Sequence, residues 1–541
     1  MPIKSDAGFD FIIVGAGSAG CVLANRLTED PGCKVLLIEA GGRDSHPLTR
    51  MPLAFLHTIR NPTMNWGYLT EPEPNLNRRC VPVPRGRVWG GSSTINGMFY
   101  MRGHSHDFDG WRSMGCDGWG YKDVLPYFKR METSWRGEGP FHGGGGPIHV
   151  APIDTAYLLH EPLMAAGQAA GYPVSADLHG PNEEGFARGE LTVDPQGRRA
   201  SSSRAYLYPS LHRSNLTVHS HALATRVLIE KMRAVGVEYW QRAELRRSYA
   251  DAEVILCGGA YNSPQLLMLS GIGPADHLRE SGLTAVVDLP GVGRNLSEHP
   301  YTMVEFAATK PVTFLNELRL DRALRHAAHW ALFGAGPFAT QINSCNAVIR
   351  TLPDLTQPNI QLMCNPVRMD ANLWFPGFCE RKAHVFAVGV VQLHPRSRGW
   401  VKLRSANPAD APRITLNIFA DTADFADMRS GIREARRIYR TAPQGDLTGE
   451  EISPGAAVDS DSELDAFIRA TATTAQHPVG TCSMGAGADS VVDAQLRVRG
   501  VEGLRVADAS VMPTVPGGNT NAACIMVGEK ASDLIRNRSL M

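Results

Sequence analysis

The sequence predicts an α/β protein of two interleaved domains, one doubly wound about a parallel sheet, the other α+β and built on an antiparallel sheet. Three observations predict it. An apolar strand, Phe9 to Val14, runs into Gly15-Ala16-Gly17-Ser18-Ala19-Gly20, a helix-like stretch to Leu27 and a second apolar strand, Lys34 to Ile38. The region from 300 to 420 carries antiparallel strand signals instead. Glycine-rich motifs of one kind recur near both ends, which interleaving explains better than two consecutive domains. With 541 residues the chain is too long for a single ordinary core.

The first motif is a dinucleotide-binding βαβ unit. Gly15 permits the tight turn, Gly17 lets the backbone approach a pyrophosphate, and Gly20 lets helix and strand pack closely. The amides at the helix start then face phosphate charge. Glu39 ends the second strand, where a carboxylate can accept both hydroxyls of an adenosine ribose. The same charge repels a 2′-phosphate and so argues against NADP.

Composition narrows the class further. The chain is 43% apolar and 20% charged, with 54 basic against 54 acidic residues. That balance argues against nucleic acid or an anionic membrane as the main partner. The ten cysteines are scattered without a CxxC, and read as buried thiols of a reducing compartment. Phe11 to Ala24 has the apolarity of a secretory signal, but Asp6 and Asp10 beside Lys4 leave no cationic leader. The expectation is a cytoplasmic protein without a transmembrane segment, peripheral membrane association being left open.

Along the chain, Gly137 to Pro147, with glycines at 143–146, reads as a mobile connection. Residues 151 to 190 mix helix and loop. Leu216 to Glu230 and Val235 to Tyr239 read as strands, and Ala252 to Cys257 as a short buried one. Val385 to Leu393 and Trp400 to Leu403, joined by a turn at 395–399, read as an antiparallel hairpin. Ala423 to Tyr439, Ser462 to Ala470 and Asn521 to Ile535 read as helices.

Three further blocks bear on chemistry. One is Arg85-Gly86-Arg87-Val88-Trp89-Gly90-Gly91-Ser92-Ser93-Thr94-Ile95-Asn96, whose paired glycines allow close backbone approach. The second is the run from Gly259 to Pro274, and the third is Gly291-Val292-Gly293-Arg294-Asn295-Leu296 with His299. Together with the C-terminal run they resemble, over essentially the whole chain and in order, the glucose–methanol–choline oxidoreductases. The nearest likeness is to bacterial choline-, sorbose- and polyethylene-glycol-dehydrogenase-like enzymes. The resemblance supplies FAD, where the pattern alone leaves flavin or nicotinamide open. Two positions depart from it. Trp89 stands where a smaller aliphatic side chain is usual. Ile95 stands where some relatives carry a flavin-linking His, so non-covalent FAD is implied.

The resemblance places the catalytic base at His477, in His477-Pro478-Val479-Gly480-Thr481-Cys482. Oxidising an alcohol through a flavin moves a hydride from carbon to N5 and a proton from oxygen to a base. An imidazole near its ordinary pKa of about 6.5 suits that role. Asn519, before the helix at Asn521, is assigned to hold the substrate oxygen. The implied FAD contacts are Gly15, Gly17, Ser18, Ala19, Gly20, Glu39 and Ala40 in the first motif. Trp66, Arg87, Gly90, Gly91, Ser92, Asn96 and Gly97 follow around the second loop, then Val227 and Gly258. Asp508, Ala509, Asn519 and Thr520 complete the set.

The implied FAD-binding domain comprises 8–150, 195–310 and 470–541, and the substrate domain 151–194 and 311–469. The expected reaction is oxidation of an alcohol, a primary one favoured, with electrons passing to a quinone-type acceptor or oxygen. The alternatives are a sorbose-like polyol dehydrogenase and a hydroxynitrile lyase with a structural flavin. No metal is expected: His104 and His106 lack further ligands at sensible spacing. No G-x-S-x-G elbow supports a hydrolase. Trp374, Phe375 and Phe378 are candidates for lining the pocket.

Overall fold

The computed structural model describes residues 4–537. Apolar runs with no polar alternation need cover on both faces, and they form the centre of the first sheet. Its strands run Leu216–His219, Val35–Ile38, Lys4–Val14 and Glu244–Leu256, all parallel. Leu504–Val506 adds in parallel to the end of the last of these. The four residues of Val35–Ile38 are all buried.

The strand read as Ala252 to Cys257 is longer, Glu244–Leu256. Its first half pairs antiparallel with Arg233–Gln241, which in turn pairs with Ala222–Glu230. The single strand expected from Leu216 to Glu230 breaks at His221, where φ is 52°. The two hairpin turns place Lys231 and Met232, then Arg242 and Ala243, at φ between 48° and 65°. Both are two-residue turns with positive φ throughout, built without glycine or asparagine.

The second sheet is antiparallel, in the order Thr448–Ser453, Pro300–Ala308, Val385–Gln392, Ile360–Asn365, Cys345–Ile349 and Gly185–Ala187. The expected hairpin of Val385 to Leu393 with Trp400 to Leu403 does not form. Val385–Gln392 is buried throughout because Pro300–Ala308 and Ile360–Asn365 flank it and helix Ala423–Arg440 packs on it. Trp400–Lys402 pairs with Arg413–Thr415 instead. Pro300–Ala308, within the 195–310 segment, thus belongs to the second sheet.

The glycine-rich segment 137–147 is packed rather than mobile. Its His142 is buried and bridges Glu132 Oε1 at 3.1 Å and Asp177 Oδ2 at 2.8 Å. Those two carboxylates raise the imidazole to about 9 against the cost of its burial. Trp374 packs against the apolar cluster around Phe314 and Leu315 and donates Nε1 to the Leu315 carbonyl, while Phe378 is 86% exposed. Among the described residues no helix is long and apolar enough to cross a membrane.

The two ends of the chain meet where helix Ser18–Leu27 packs on helix Asn521–Arg536. Glu529 is fully buried there. Its carboxylate accepts from Arg26 and Arg130, each at 2.8 Å, and from the Tyr206 hydroxyl at 2.7 Å. Without the carboxylate, Arg26 and Arg130 keep Glu29 and Asp533, each at 2.8 Å, while the buried Tyr206 hydroxyl loses its acceptor. Glu529→Ala is therefore expected to lower stability by about 1–3 kcal/mol, read from the urea denaturation midpoint of the purified protein. A loss below about 1 kcal/mol would mean that water reaches the cluster.

Candidate functional site

A cavity of about 1000 Å³ runs between the two sheets, from Glu39 at one end to His477 and Asn519 at the other. The first glycine loop builds its near end. Gly15 sits at φ +107°, and a Cβ there would lie 2.4 Å from the Cys257 carbonyl oxygen. Behind it a Cβ on Gly20 would meet the Gly15 carbonyl oxygen at 1.9 Å. The second glycine loop lies directly on the first. A Cβ on Gly91, at φ +53°, would come 2.8 Å from Gly17 Cα, and Gly90 donates its amide to the Ala16 carbonyl at 2.7 Å. Only bare backbone allows this crossing.

Glu39 locks the loop from below. One carboxylate oxygen accepts the Ala16 amide at 2.9 Å, the other the Gly41 amide at 2.7 Å. Burial raises this carboxyl to about 7, opposed by the two amides and by Arg87. Each oxygen keeps a second acceptor site toward the cavity it lines. Asp508 plays the same part in the middle. It accepts from the Gly259 amide and the Ser263 hydroxyl on one oxygen, and from the Ser510 amide and hydroxyl on the other.

Most of the expected contact residues reach this cavity: Gly15, Gly17, Ser18, Ala19, Glu39, Ala40, Trp66, Arg87, Gly91, Ser92, Asn96, Gly97, Gly258, Asp508, Ala509, Asn519 and Thr520. Three do not. Gly20 and Gly90 stand behind the wall as backbone spacers. Val227 lies past the end of the cavity, its amide donating to Ser270 Oγ at 2.8 Å. Ala222, Leu223 and Ala224 of the same strand take the wall instead, because the chain re-enters the sheet only after His221. Trp89 faces away, with Nε1 on Ser220 Oγ and the Arg43 guanidinium 4.9 Å from its ring. Phe375, like Trp374 and Phe378, is off the cavity wall.

At the far end the segment 473–479 runs antiparallel to 297–301. Thr473 and Thr474 pair with Tyr301 and Pro300, and Val479 and Ser297 exchange backbone bonds of 3.0 Å. That register sets His477 against His299, with their Nδ1 atoms 3.0 Å apart. Glu298 secures the pairing, since one of its oxygens accepts the His477 amide at 2.6 Å and the His299 amide at 2.9 Å. Sequence reasoning missed Glu298 altogether and noted His299 only as part of a motif.

The protonation pattern follows from these contacts. His299 Nε2 lies 2.9 Å from the Leu393 carbonyl, which only accepts, so the proton sits on Nε2. Burial, with His477 adding to it, holds His299 well below the ordinary imidazole range and therefore neutral. Its Nδ1 is then an acceptor, and His477 must donate from Nδ1. Burial first, then the Arg85 guanidinium, lowers His477 to about 3 instead of the unperturbed value expected from sequence. His477 is thus neutral with a bare Nε2. Asn519 Nδ2 lies 3.0 Å from that lone pair, and Asn519 Oδ1 is buried without a partner.

The cradle suits a dinucleotide. Close-approach backbone at the start of a ten-residue helix meets a pyrophosphate, and a carboxylate meets a ribose. The partnerless Asn519 oxygen and the unprotonated His477 nitrogen lie together at the far end of this cavity. His104, by contrast, serves locally, capping helix Ser105–Ser113 through the His106 amide.

Comparison with known proteins agrees. Two family models, each described as GMC oxidoreductase, match residues 9–301 and 395–528. The mitochondrial choline dehydrogenase of Mus musculus is 43% identical over 537 residues, covering 98% of this chain and 89% of the relative. The oxygen-dependent choline dehydrogenase of Brucella canis is 43% identical over 532 residues, covering 98% and 96%. Among solved structures, pyridoxine 4-oxidase from Mesorbium loti superposes with a TM-score of 0.88 at 31% identity, covering 98% and 100%. A formate oxidase variant of Aspergillus oryzae, studied for FAD modification, gives 0.91 at 29%, covering 99% and 98%.

The crossing of the two glycine loops is the most demanding part of the cradle. Gly91→Ala is expected to lower flavin content per polypeptide severalfold, read from visible absorbance, with the circular dichroism of the fold retained. Full flavin content in that variant would contradict the cradle.

Proposed function

The chain belongs to the GMC oxidoreductase family and is an FAD-dependent enzyme acting on CH–OH groups; on that premise we propose that it oxidises a primary alcohol to the aldehyde with His477 as the base. The bare Nε2 of His477, facing the cavity beside Asn519, carries this reading.

When bound, FAD supplies the acceptor for the hydride that leaves the alcohol carbon. The protein handles the oxygen. A substrate hydroxyl entering between His477 and Asn519 donates its proton to Nε2 and accepts a hydrogen bond from Asn519 Nδ2. As the C–H bond breaks and the C=O bond forms, that proton stays on His477, so the alcohol has lost one hydride and one proton. Asn519 has no basic atom for this task and serves orientation. His299, through the Leu393 carbonyl, keeps the lone pair of His477 on the cavity side. The two electrons then pass to a quinone-type acceptor or to oxygen.

Ile95 lines the cavity and offers no atom for a covalent bond, which supports non-covalent FAD. The oxidising relatives, 43% identical, support oxidation over the hydroxynitrile lyase alternative. The expected behaviour of His477→Ala is retention of FAD with alcohol-driven bleaching under anaerobic conditions slowed by about 10²–10⁴-fold, the usual worth of a positioned base. Bleaching at near the parental rate would remove His477 from the role.

A further inference from the structure

Resting on the alcohol-oxidising reading above, we infer that the substrate is an uncharged alcohol with an apolar tail and that the site excludes quaternary ammonium alcohols. This separates the chain from the relatives named choline dehydrogenases, whose substrate by name carries a fixed positive charge.

Recognition of such a cation requires a carboxylate near the charge or an open aromatic face over which it can sit. The wall that the second sheet turns to the cavity carries no carboxylate, and its aromatic ring, Tyr301, is lodged against the sheet itself. Met303 and Met363 stand on either side of Gly389, each paired with it across the sheet. The missing side chain at Gly389 leaves a notch that holds the Tyr301 ring, 2.4 Å from where a Cβ would be. Ile342 and Met369 extend this surface, and its polar side chains are the neutral amides Gln341 and Asn365. Methionines make a soft, adaptable apolar lining that follows the shape of a hydrocarbon tail.

Among the described residues, the carboxylates on the whole cavity wall are Glu39, Asp410 and Asp508. Glu39 and Asp508 are held in the glycine-loop half by the backbone and hydroxyl bonds described above. Asp410 accepts from Ser405 Oγ at 2.6 Å and Asn407 Nδ2 at 2.9 Å, in the loop beside Gln265. Glu298 is the carboxylate next to His477, but it stands behind the base and is not on the wall.

Of the aromatic rings on the wall, Trp66 and Tyr261 are engaged by cations of the chain itself, and Phe55 and Phe99 stand without a carboxylate beside them on the wall. The Arg87 guanidinium lies 4.9 Å from the Trp66 ring centre, and Tyr68 stacks on the same indole at 5.6 Å. Arg85 lies 5.8 Å from the Tyr261 ring centre and donates to the Gln476 carbonyl, next to the base. An ammonium substrate would therefore enter a methionine-lined space whose wall already carries the guanidinium groups of Arg60, Arg85 and Arg87, with no anion on the second-sheet wall to replace its water. An uncharged alcohol of the same shape meets no such cost.

The test compares choline with its carbon isostere, 3,3-dimethylbutan-1-ol, in which a quaternary carbon replaces the quaternary nitrogen. Each is mixed anaerobically with the flavin-loaded protein, and flavin bleaching is followed over a concentration series, so that saturation reports binding and the plateau reports the chemical step. The isostere is expected to exceed choline on the order of 100-fold in bleaching rate per concentration, with the difference lying in saturation, as befits an unpaired charge. Choline equal to or better than the isostere would overturn the inference and leave the alcohol-oxidising reading standing. Bleaching by neither compound, nor by a series of linear 1-alkanols, would overturn that reading and the inference with it.

Discussion

The carbonyl oxygen of Leu393 sets the protonation of the histidine pair at the far end of the cavity. The Leu393 carbonyl accepts from His299 Nε2, and by doing so leaves His299 Nδ1 free to accept from His477 Nδ1. Nε2 of His477 is without a proton because of that relay. The relay in turn exists only because segment 473–479 pairs with 297–301 in one register, which Glu298 ties by accepting the amides of both His477 and His299. A slip of one residue would turn His477 to the opposite face of the pairing. Sheet register, rather than any local motif, gives the histidine the protonation state that the proposed base requires.

The same burial that enforces the register strips the site of net charge. His477 and His299 are pushed toward neutrality from one side, and Glu39 and Glu298, each raised to about 7, from the other. In each case the loss of water is the leading cause. The exceptions are the guanidinium groups of Arg85 and Arg87, which rest on aromatic rings and backbone carbonyls. A cavity with neutral imidazoles and resident guanidinium groups favours uncharged reactants, and one physical cause underlies both the protonation state of the proposed base and the inferred substrate class.

Much of this was legible in the residues. The strand–glycine–helix–strand unit at 9–39 lies where its pattern places it, because steric need for bare backbone leaves a sharp mark in a sequence. His477 and Asn519 were reached by resemblance, and the structure brings their side chains to 3.0 Å. What escaped was non-local. The turn at Lys231 and Met232 falls where the expected strand ends at Glu230, but the half of Glu244–Leu256 before Ala252 was not expected, since Arg242 and Ala243 turn the chain without any residue that favours positive φ. Val385–Gln392 seemed half of a hairpin because its true partners, Pro300–Ala308 and Ile360–Asn365, lie distant in the chain. Val227 is misplaced by the single turn at His221. Glu298 is an ordinary glutamate until the fold buries it under two histidines.

The central claim is a protonation state, and nitrogen NMR of histidine-labelled, flavin-loaded protein, assigned with His477→Ala, reads it directly. The account predicts that His477 carries its proton on Nδ1, leaves Nε2 bare, and stays so as the pH falls through about 6.5, where a free imidazole charges. A His477 protonated on Nε2, or one that becomes imidazolium near that pH, would contradict it.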